Sequence, residues 1–246
     1  MKIKNKNIIL LGGSGLIGKA IADELKTNNH NIFILDKKKP LKLFKDANFI
    51  KVDFTNIKLF EKKINQIYKK YKKVHAVINC AYLKDKSWGK KFEDLKVGDI
   101  KKNLYFQLGV PLLQCKIILK LFEKQKFGNL ILFSSIFGVA APKIAHYKNT
   151  NMTVPIEYAT AKAGIISLTK YLAKLYGKKN ININCVSPGG VNENQPTIFK
   201  KEYRKACLNK GLLSPKDLTG LIKFLISEES KYINGQNIII DDGWTL

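Results

Sequence analysis

The sequence predicts an α/β fold: a doubly wound parallel β-sheet flanked by helices, built as one domain over residues 1–246. Three observations predict it. Short apolar runs alternate with segments of helical periodicity along the whole chain, the pattern of βαβ units. A glycine-rich turn, Gly12-Gly13-Ser14-Gly15-Leu16-Ile17-Gly18, joins the first apolar run to the first helical segment. Asp36, Asp53, Asn79, Ser135 and Pro188-Gly189 each fall at or just after an apolar run. That is the carboxyl edge, where ligands of such sheets bind near a reversal of strand order.

The elements follow in order. Asn7–Leu11 reads as a buried strand, and a helix runs from Leu16 to about Lys26. Glycines in the turn between them let the backbone bend tightly and approach a pyrophosphate. The helix start then offers free N–H groups and a positive dipole end to it. Asn31–Leu35 is a second strand ending in Asp36, and Phe49–Val52 a third ending in Asp53-Phe54. Thr55 or Asn56 caps a lysine-rich helix to about Tyr71. Val74–Asn79 is the fourth strand, closing on Asn79-Cys80-Ala81-Tyr82. A long helix from about Val97 to Glu123 carries Asn103, with a kink expected at Pro111. Asn129–Phe133 leads into Ser134-Ser135, and an irregular polar loop covers Val139–Pro155. A helix from about Glu157 to Tyr176 follows, then strand Ile181–Val186 and Pro188-Gly189. Val191–Leu213 shows no strong period and reads as a mobile segment over the site. Ser214 caps a helix with Asp217 in the capping-box position. Asn237–Ile240 is the last strand.

The chain carries 44 Lys and Arg against 19 Asp and Glu, a net charge of +25. Nearly all the basic residues are lysine, Arg204 being the sole arginine, and they are scattered along the whole length. Specific nucleic-acid sites lean on the arginine fork and on a concentrated basic stripe, so no specific nucleic-acid partner is expected. A positive field instead helps draw in phosphorylated substrates. Runs such as Ile8–Leu11 and Leu130–Phe133 are too short to span a bilayer. Lys2, Lys4 and Lys6 precede a run too short for a signal-peptide core, and a cytoplasmic protein without a membrane partner is expected. Cys80, Cys115, Cys185 and Cys207 are widely spaced and read as free thiols; no metal site is indicated. His146 reads as a loop histidine facing water, and His30 and His75 as strand-edge residues without a partner motif. Tyr82 and Trp88 suit either a pocket wall or ordinary packing.

The chemistry is centred on Tyr158 and Lys162, four residues apart and therefore on one helix face. A neighbouring cation favours the phenolate and lowers a tyrosine's pKa, which makes a phenol a usable general acid or base. Asp36 sits about twenty residues past the glycine turn, where a carboxylate accepts hydrogen bonds from ribose hydroxyls. It favours NAD(H), while Lys37, Lys38 and Lys39 leave NADP(H) open.

Taken together, Gly12–Gly18, Asp53, Asn79-x-Ala81, Asn103, Ser135, Tyr158-x-x-x-Lys162 and Pro188-Gly189 resemble the classical short-chain dehydrogenase/reductase family, over essentially the whole chain. The resemblance implies a Rossmann-like domain and interconversion of an alcohol and a ketone by hydride transfer. It implies Asn103, Ser135, Tyr158 and Lys162 as the catalytic set. Tyr158 would exchange the proton, Lys162 lower its pKa and hold the nicotinamide ribose, Ser135 bind the substrate oxygen, and Asn103 hold a relay water. Cofactor contacts would come from Gly12, Ser14, Gly15, Leu16, Ile17, Gly18, Asp36, Asp53, Phe54, Asn79, Ala81, Tyr158, Lys162, Pro188, Gly189 and Val191. Asp53 would bind the adenine, and Asn79 support the central strand. A homotetramer or homodimer is implied as well. The chain departs from the pattern at Leu11, at Leu16 where a glycine is usual, and at Cys80 and Tyr82. The stretch between Ser135 and Tyr158 is longer than usual, with its extra length around 143–147 and 152–155. Together with Asp241-Asp242-Gly243, it resembles the dehydrogenases found with flagellin-glycosylation and nonulosonic-acid genes. The substrate expected is polar, sugar-like or phosphorylated, shaped by loops at about 139–155 and 191–213. A non-catalytic NAD(H)-binding sensor or scaffold is the alternative.

Overall fold

In the computed structural model, which describes residues 6–27, 29–40 and 48–246, the apolar runs form one seven-stranded parallel sheet of order β3-β2-β1-β4-β5-β6-β7. The strands are β1 (Asn7–Leu11), β2 (Asn31–Asp36), β3 (Asn48–Lys51), β4 (Ala76–Asn79), β5 (Gly128–Phe133), β6 (Ile181–Pro188) and β7 (Asn237–Ile240). Their order reverses between β1 and β4, which pair from Ile8–Ala76 to Leu11–Asn79. The carboxyl ends of these two strands border the crevice where such sheets bind ligands. Lys2 and Lys4 lie outside the described residues.

Alternation along the strands divides the core in two, because successive side chains leave opposite faces. Ile9, Leu11, Phe33, Leu35, Val77, Leu130 and Leu132 pack on one face with Phe60, Ile64, Ile118, Phe122 and Ile165. Those partners come from α2 (Ile57–Tyr71), α4 (Val110–Gln125) and α5 (Ile156–Tyr176). Ile8, Leu10, Ile32, Ile34, Ile78 and Ile131 pack on the other with Ile21, Ala22 and Leu25 of α1 (Leu16–Lys26) and Ile222 and Leu225 of α7 (Thr219–Leu225). Asn56 caps α2 by accepting from the Leu59 N–H, so the cap is Asn56 rather than Thr55. Ser214 and Asp217 form the expected capping box, on a 3₁₀ turn that leads into α7.

Two expectations need correction, and a third takes a particular form. The helix after β4 loses its regular pattern just ahead of Pro111. It runs as α3 (Val97–Leu104), a π turn (Tyr105–Gly109) and α4. The Val110 N–H reaches back to the Tyr105 carbonyl, five residues away. Proline has no N–H for the carbonyl four residues before it and crowds that carbonyl. The turn ahead of Pro111 therefore widens, and Pro111 sits in the first turn of α4. This same stretch, Val97–Gln125, is the one among the described residues long and apolar enough to cross a membrane. Short unbroken runs had hidden it. Its Val110, Cys115, Ile118, Leu119 and Phe122 are buried on the sheet. Lastly, 191–213 contains α6 (Thr197–Lys205), whose Phe199 and Tyr203 are buried four residues apart. They join Ile136, Cys207 and Trp244 in a third, separate cluster.

The amino edge of the sheet carries a pair of histidines in acceptor roles. His30 Nδ1 accepts from the Lys6 N–H at 3.2 Å, and His75 Nδ1 from the Asn7 N–H at 2.9 Å. Burial, and then the Lys6 charge, holds both below the usual histidine pKa. A depressed histidine pKa gives stability that is present above the unfolded value, about 6.5, and lost as pH falls through the folded one. The urea midpoint is therefore expected to drop between pH 7.5 and 5. His75→Asn keeps an acceptor without a titrating ring, and a pH slope no flatter than that of the parent chain would contradict this origin.

Candidate active site

The glycine turn is shaped by contacts that exclude side chains. Gly12 has φ +75°, and a Cβ there would lie 2.7 Å from the Ala81 backbone at the end of β4. A Cβ on Gly18 would lie 2.3 Å from the Gly12 carbonyl oxygen. Gly15 caps α1 without a side-chain hydrogen bond, so the first N–H groups of the helix, at Leu16 and Ile17, face outward unsatisfied by any cap. This cradle, open to the backbone and tight to everything else, fits a pyrophosphate.

Asp36 ends β2 beside the turn. Its carboxylate accepts from the Ser14 N–H at 3.0 Å and the Lys37 N–H at 2.7 Å, while the Ser14 hydroxyl donates to the Lys38 carbonyl. The Lys37 ammonium is engaged by Asp53 at 3.0 Å. Asp53 also accepts from the Thr55 hydroxyl and N–H. The Thr55 hydroxyl first, and Lys37 with it, keep the Asp53 carboxyl below its usual range. Phe54 is buried in the core, edge-on to Phe60. Asn79 ends β4, with its Oδ1 accepting from the Ala81 N–H at 3.2 Å and its Nδ2 donating to Gln114 at 2.8 Å. Pro188 ends β6, Gly189 follows with its N–H on the Ile240 carbonyl, and Val191 bridges to Leu213.

Ser135 follows β5 and caps a 3₁₀ turn through the Phe137 N–H. Its hydroxyl reaches the Tyr158 phenol. Ser134 points elsewhere, donating to the Lys162 carbonyl at 2.7 Å. Lys162 is buried and donates to the Phe133 carbonyl at 2.9 Å, with its Nζ 5.4 Å from the Tyr158 ring centroid. Burial brings the Lys162 ammonium down to about 8. Burial raises the Tyr158 phenol, and only the Ser135 hydroxyl counters it. Burial dominates at Tyr158, and the Lys162 ammonium is turned to a backbone acceptor.

Asn103 has the neighbour of Tyr158 as a partner. It is fully buried, and its Nδ2 donates to Glu157 at 2.9 Å and to Ser87 at 3.3 Å. One turn later, Gln107 lines a cavity of about 10 Å³ together with Lys162, Asn79, Ala81 and Pro111. That is room for one water molecule. Gln107 donates to the Leu83 carbonyl. A sequence signal for it exists: Gln107 is four residues before Pro111, so proline frees its carbonyl from the helix.

Rings surround Tyr158. Tyr82, Trp88 and Phe137 lie edge-on to it at centroid distances of 5.6, 5.9 and 6.4 Å. Tyr82 and Trp88 are therefore wall residues of the site. The 143–147 stretch exposes Lys143, Ile144 and Ala145 and turns His146 and Tyr147 inward. His146 is buried, against the expectation of a water-facing loop residue, because it packs on Tyr203 of α6 and on Trp244. Tyr147 packs on Phe199. The four cysteines are free; burial raises Cys115 to about 12 and Cys185 and Cys207 to about 11, so they are unreactive thiols.

A parallel sheet with this glycine cradle and a Ser–Tyr–Lys group at its carboxyl edge defines a nicotinamide-dependent oxidoreductase class. Residues 14–245 match the family model described as enoyl-(acyl carrier protein) reductase. The chain is 36% identical over 255 residues to the post-translational flagellin modification protein A of Campylobacter coli, covering 99% of this chain and 100% of that one. It is 27% identical to a 7alpha-hydroxysteroid dehydrogenase of Bacteroides fragilis, covering 100% and 96%. A short-chain dehydrogenase from Leptospira borgpetersenii with bound NAD+ superposes with a TM-score of 0.92 at 29% identity, covering 100% of this chain and 94% of that one. The chain belongs to the short-chain dehydrogenase/reductase family, whose members are oxidoreductases acting on CH–OH groups with a nicotinamide cofactor.

Proposed function

We propose that this enzyme interconverts an alcohol and a ketone on a polar, sugar-like or phosphorylated substrate, with NAD(H) preferred and Tyr158 as general acid and base. The observation that carries it is the convergence of Ser135, Tyr158 and Lys162 beside the glycine cradle, in a wall of aromatic rings. The nicotinamide supplies or accepts the hydride. The protein's residues do the rest. Tyr158 holds a proton against the substrate oxygen, and its raised pKa keeps it a proton donor at neutral pH. The Ser135 hydroxyl donates to the same oxygen and stabilises charge developing there. Lys162 and Asn79 fix the inner side of the site.

Asp36 supports NAD(H), since its carboxylate opposes a 2′-phosphate. Lys37 is paired with Asp53, which weakens it for that role. Melting the enzyme with NADH and with NADPH tests the reading. A ligand at about 100 times its Kd adds roughly 2.7 kcal/mol, or about 5–10 °C here. The larger shift is expected with NADH. A larger shift with NADPH would reverse the cofactor assignment, and no shift with either would favour a protein outside the catalytic reading.

Gln107, rather than Asn103, is proposed to hold the relay water between Lys162 and solvent, because it borders the one-water cavity. Gln107→Leu is expected to lower kcat by about 10²-fold. Asn103→Leu is expected to act on stability, by about 1–3 kcal/mol, by stripping buried Glu157 of its partner. The opposite division of effects, read from kcat and urea midpoint, would return the relay to Asn103. We read residues 1–246 as one cytoplasmic domain, assembled as a homotetramer or homodimer. Exposed Leu112 on α4 and Ile156, Tyr171 and Leu175 on α5 support the assembly, which sedimentation velocity reads directly.

A further inference from the structure

We propose that the substrate carries an anionic group, and that Lys84 and Lys143 are the residues that read it. The inference rests on the oxidoreductase reading above and adds the recognition element. Lys84 Nζ lies 4.6 Å over the ring of Tyr82, which itself packs on Tyr158. Lys143 Nζ lies 4.8 Å over the ring of Trp244, which packs on Phe137, the next ring against Tyr158. Each ammonium is thus carried by an aromatic wall that leads to the catalytic phenol.

Several other lysines are already paired with carboxylates. Lys90 pairs with Asp99, Lys102 with Asp85, Lys205 with Glu202, and Lys210 with Asp217. Among the described residues, neither Lys84 nor Lys143 has a carboxylate partner. Lys143 donates to the Trp244 carbonyl, which orients its stem and leaves two of its protons free. A cation stacked on a ring loses some mobility while keeping its charge, so less ordering is required when an anion binds. Lys143 lies in the long stretch between Ser135 and Tyr158. The inference gives that extra length a purpose: it brings a cation to the rim of the substrate site.

The shared chemistry is a phosphate or a carboxylate on a polyol or ketose. Steady-state kinetics on matched sets separates the two, each set holding a neutral sugar, its phosphate ester and its carboxylated form. The expected result is a kcat/KM at least tenfold higher for one anionic member than for its neutral parent. Lys84→Gln and Lys143→Gln are each expected to reduce that ratio about tenfold through KM, and the double variant to abolish it, with the NADH-induced melting shift kept. A preference for neutral members, or a ratio untouched by the double variant, would overturn the inference while leaving the oxidoreductase reading in place. Should no member turn over, the NADH complex is titrated with inorganic phosphate under tryptophan fluorescence. Trp88 and Trp244, the two tryptophans of the chain, both lie in these walls. Saturable quenching lost in the double variant supports anion recognition; quenching that is absent or unaltered overturns it.

Discussion

Tyr158→Phe is expected to lower kcat by about 10³-fold or more, with the NADH-induced melting shift preserved. The substitution removes one hydroxyl and keeps the ring that packs against Tyr82, Trp88 and Phe137. Packing is therefore conserved, and what is lost is proton transfer, a contribution of about 10²–10⁴ in rate. Ser135 also loses its partner phenol, which adds to the effect. Burial raises the Tyr158 pKa, so its phenolate fraction grows with pH. Alcohol oxidation should accordingly still be climbing at pH 9, where ketone reduction has not yet begun to fall. A variant that kept more than a tenth of parent turnover would remove Tyr158 from its assigned role.

Gly18→Ala is expected to abolish the NADH-induced melting shift and to lower the melting temperature of the free protein. In an ordinary helix this change would stabilise by about 1 kcal/mol, since glycine is the poorer helix former. Here the new Cβ meets the Gly12 carbonyl oxygen at 2.3 Å and Gly13 Cα at 2.7 Å. Both are backbone atoms of the cradle, so α1 must be pushed away from the turn. Overpacking of this kind costs about 1–3 kcal/mol, or about 2–10 °C for a chain of this size. The displaced helix start no longer presents its N–H groups at the phosphate position. Differential scanning fluorimetry with and without NADH reads both effects, and an unchanged ligand shift would mean that the cradle does not hold the cofactor.

The sheet was legible because its information is local. Runs such as Ile8–Leu11 and Leu130–Phe133 are apolar throughout, and the glycine spacing requires a strand before it and a helix after it. The edge residues followed, since a carboxyl-edge position is set by where a strand ends. What escaped depends on partners remote in the chain. Helix α6 shows only Phe199 and Tyr203 against a lysine-rich background, and their partners are Tyr147, His146 and Trp244. His146 is buried by those same distant rings. Gln107 was not singled out, because its place beside Lys162 in the small cavity depends on the π turn ahead of Pro111. The Tyr158–Lys162 spacing correctly implies proximity. It carries no information about a backbone carbonyl, Phe133, that competes for the ammonium.

The third cluster has a bearing on how such an enzyme changes its substrate over evolutionary time. Ile136, Phe199, Tyr203, Cys207 and Trp244 form a cluster distinct from the two cores on the sheet faces. Local opening costs follow the apolar contact that must be broken. The cluster therefore forms a small unit of its own, joined to the end of β6 by the Gly190 N–H on the Tyr203 hydroxyl. Substitutions within it can reshape what is admitted without weakening the machinery beneath, which makes this corner of the molecule the natural seat of divergence.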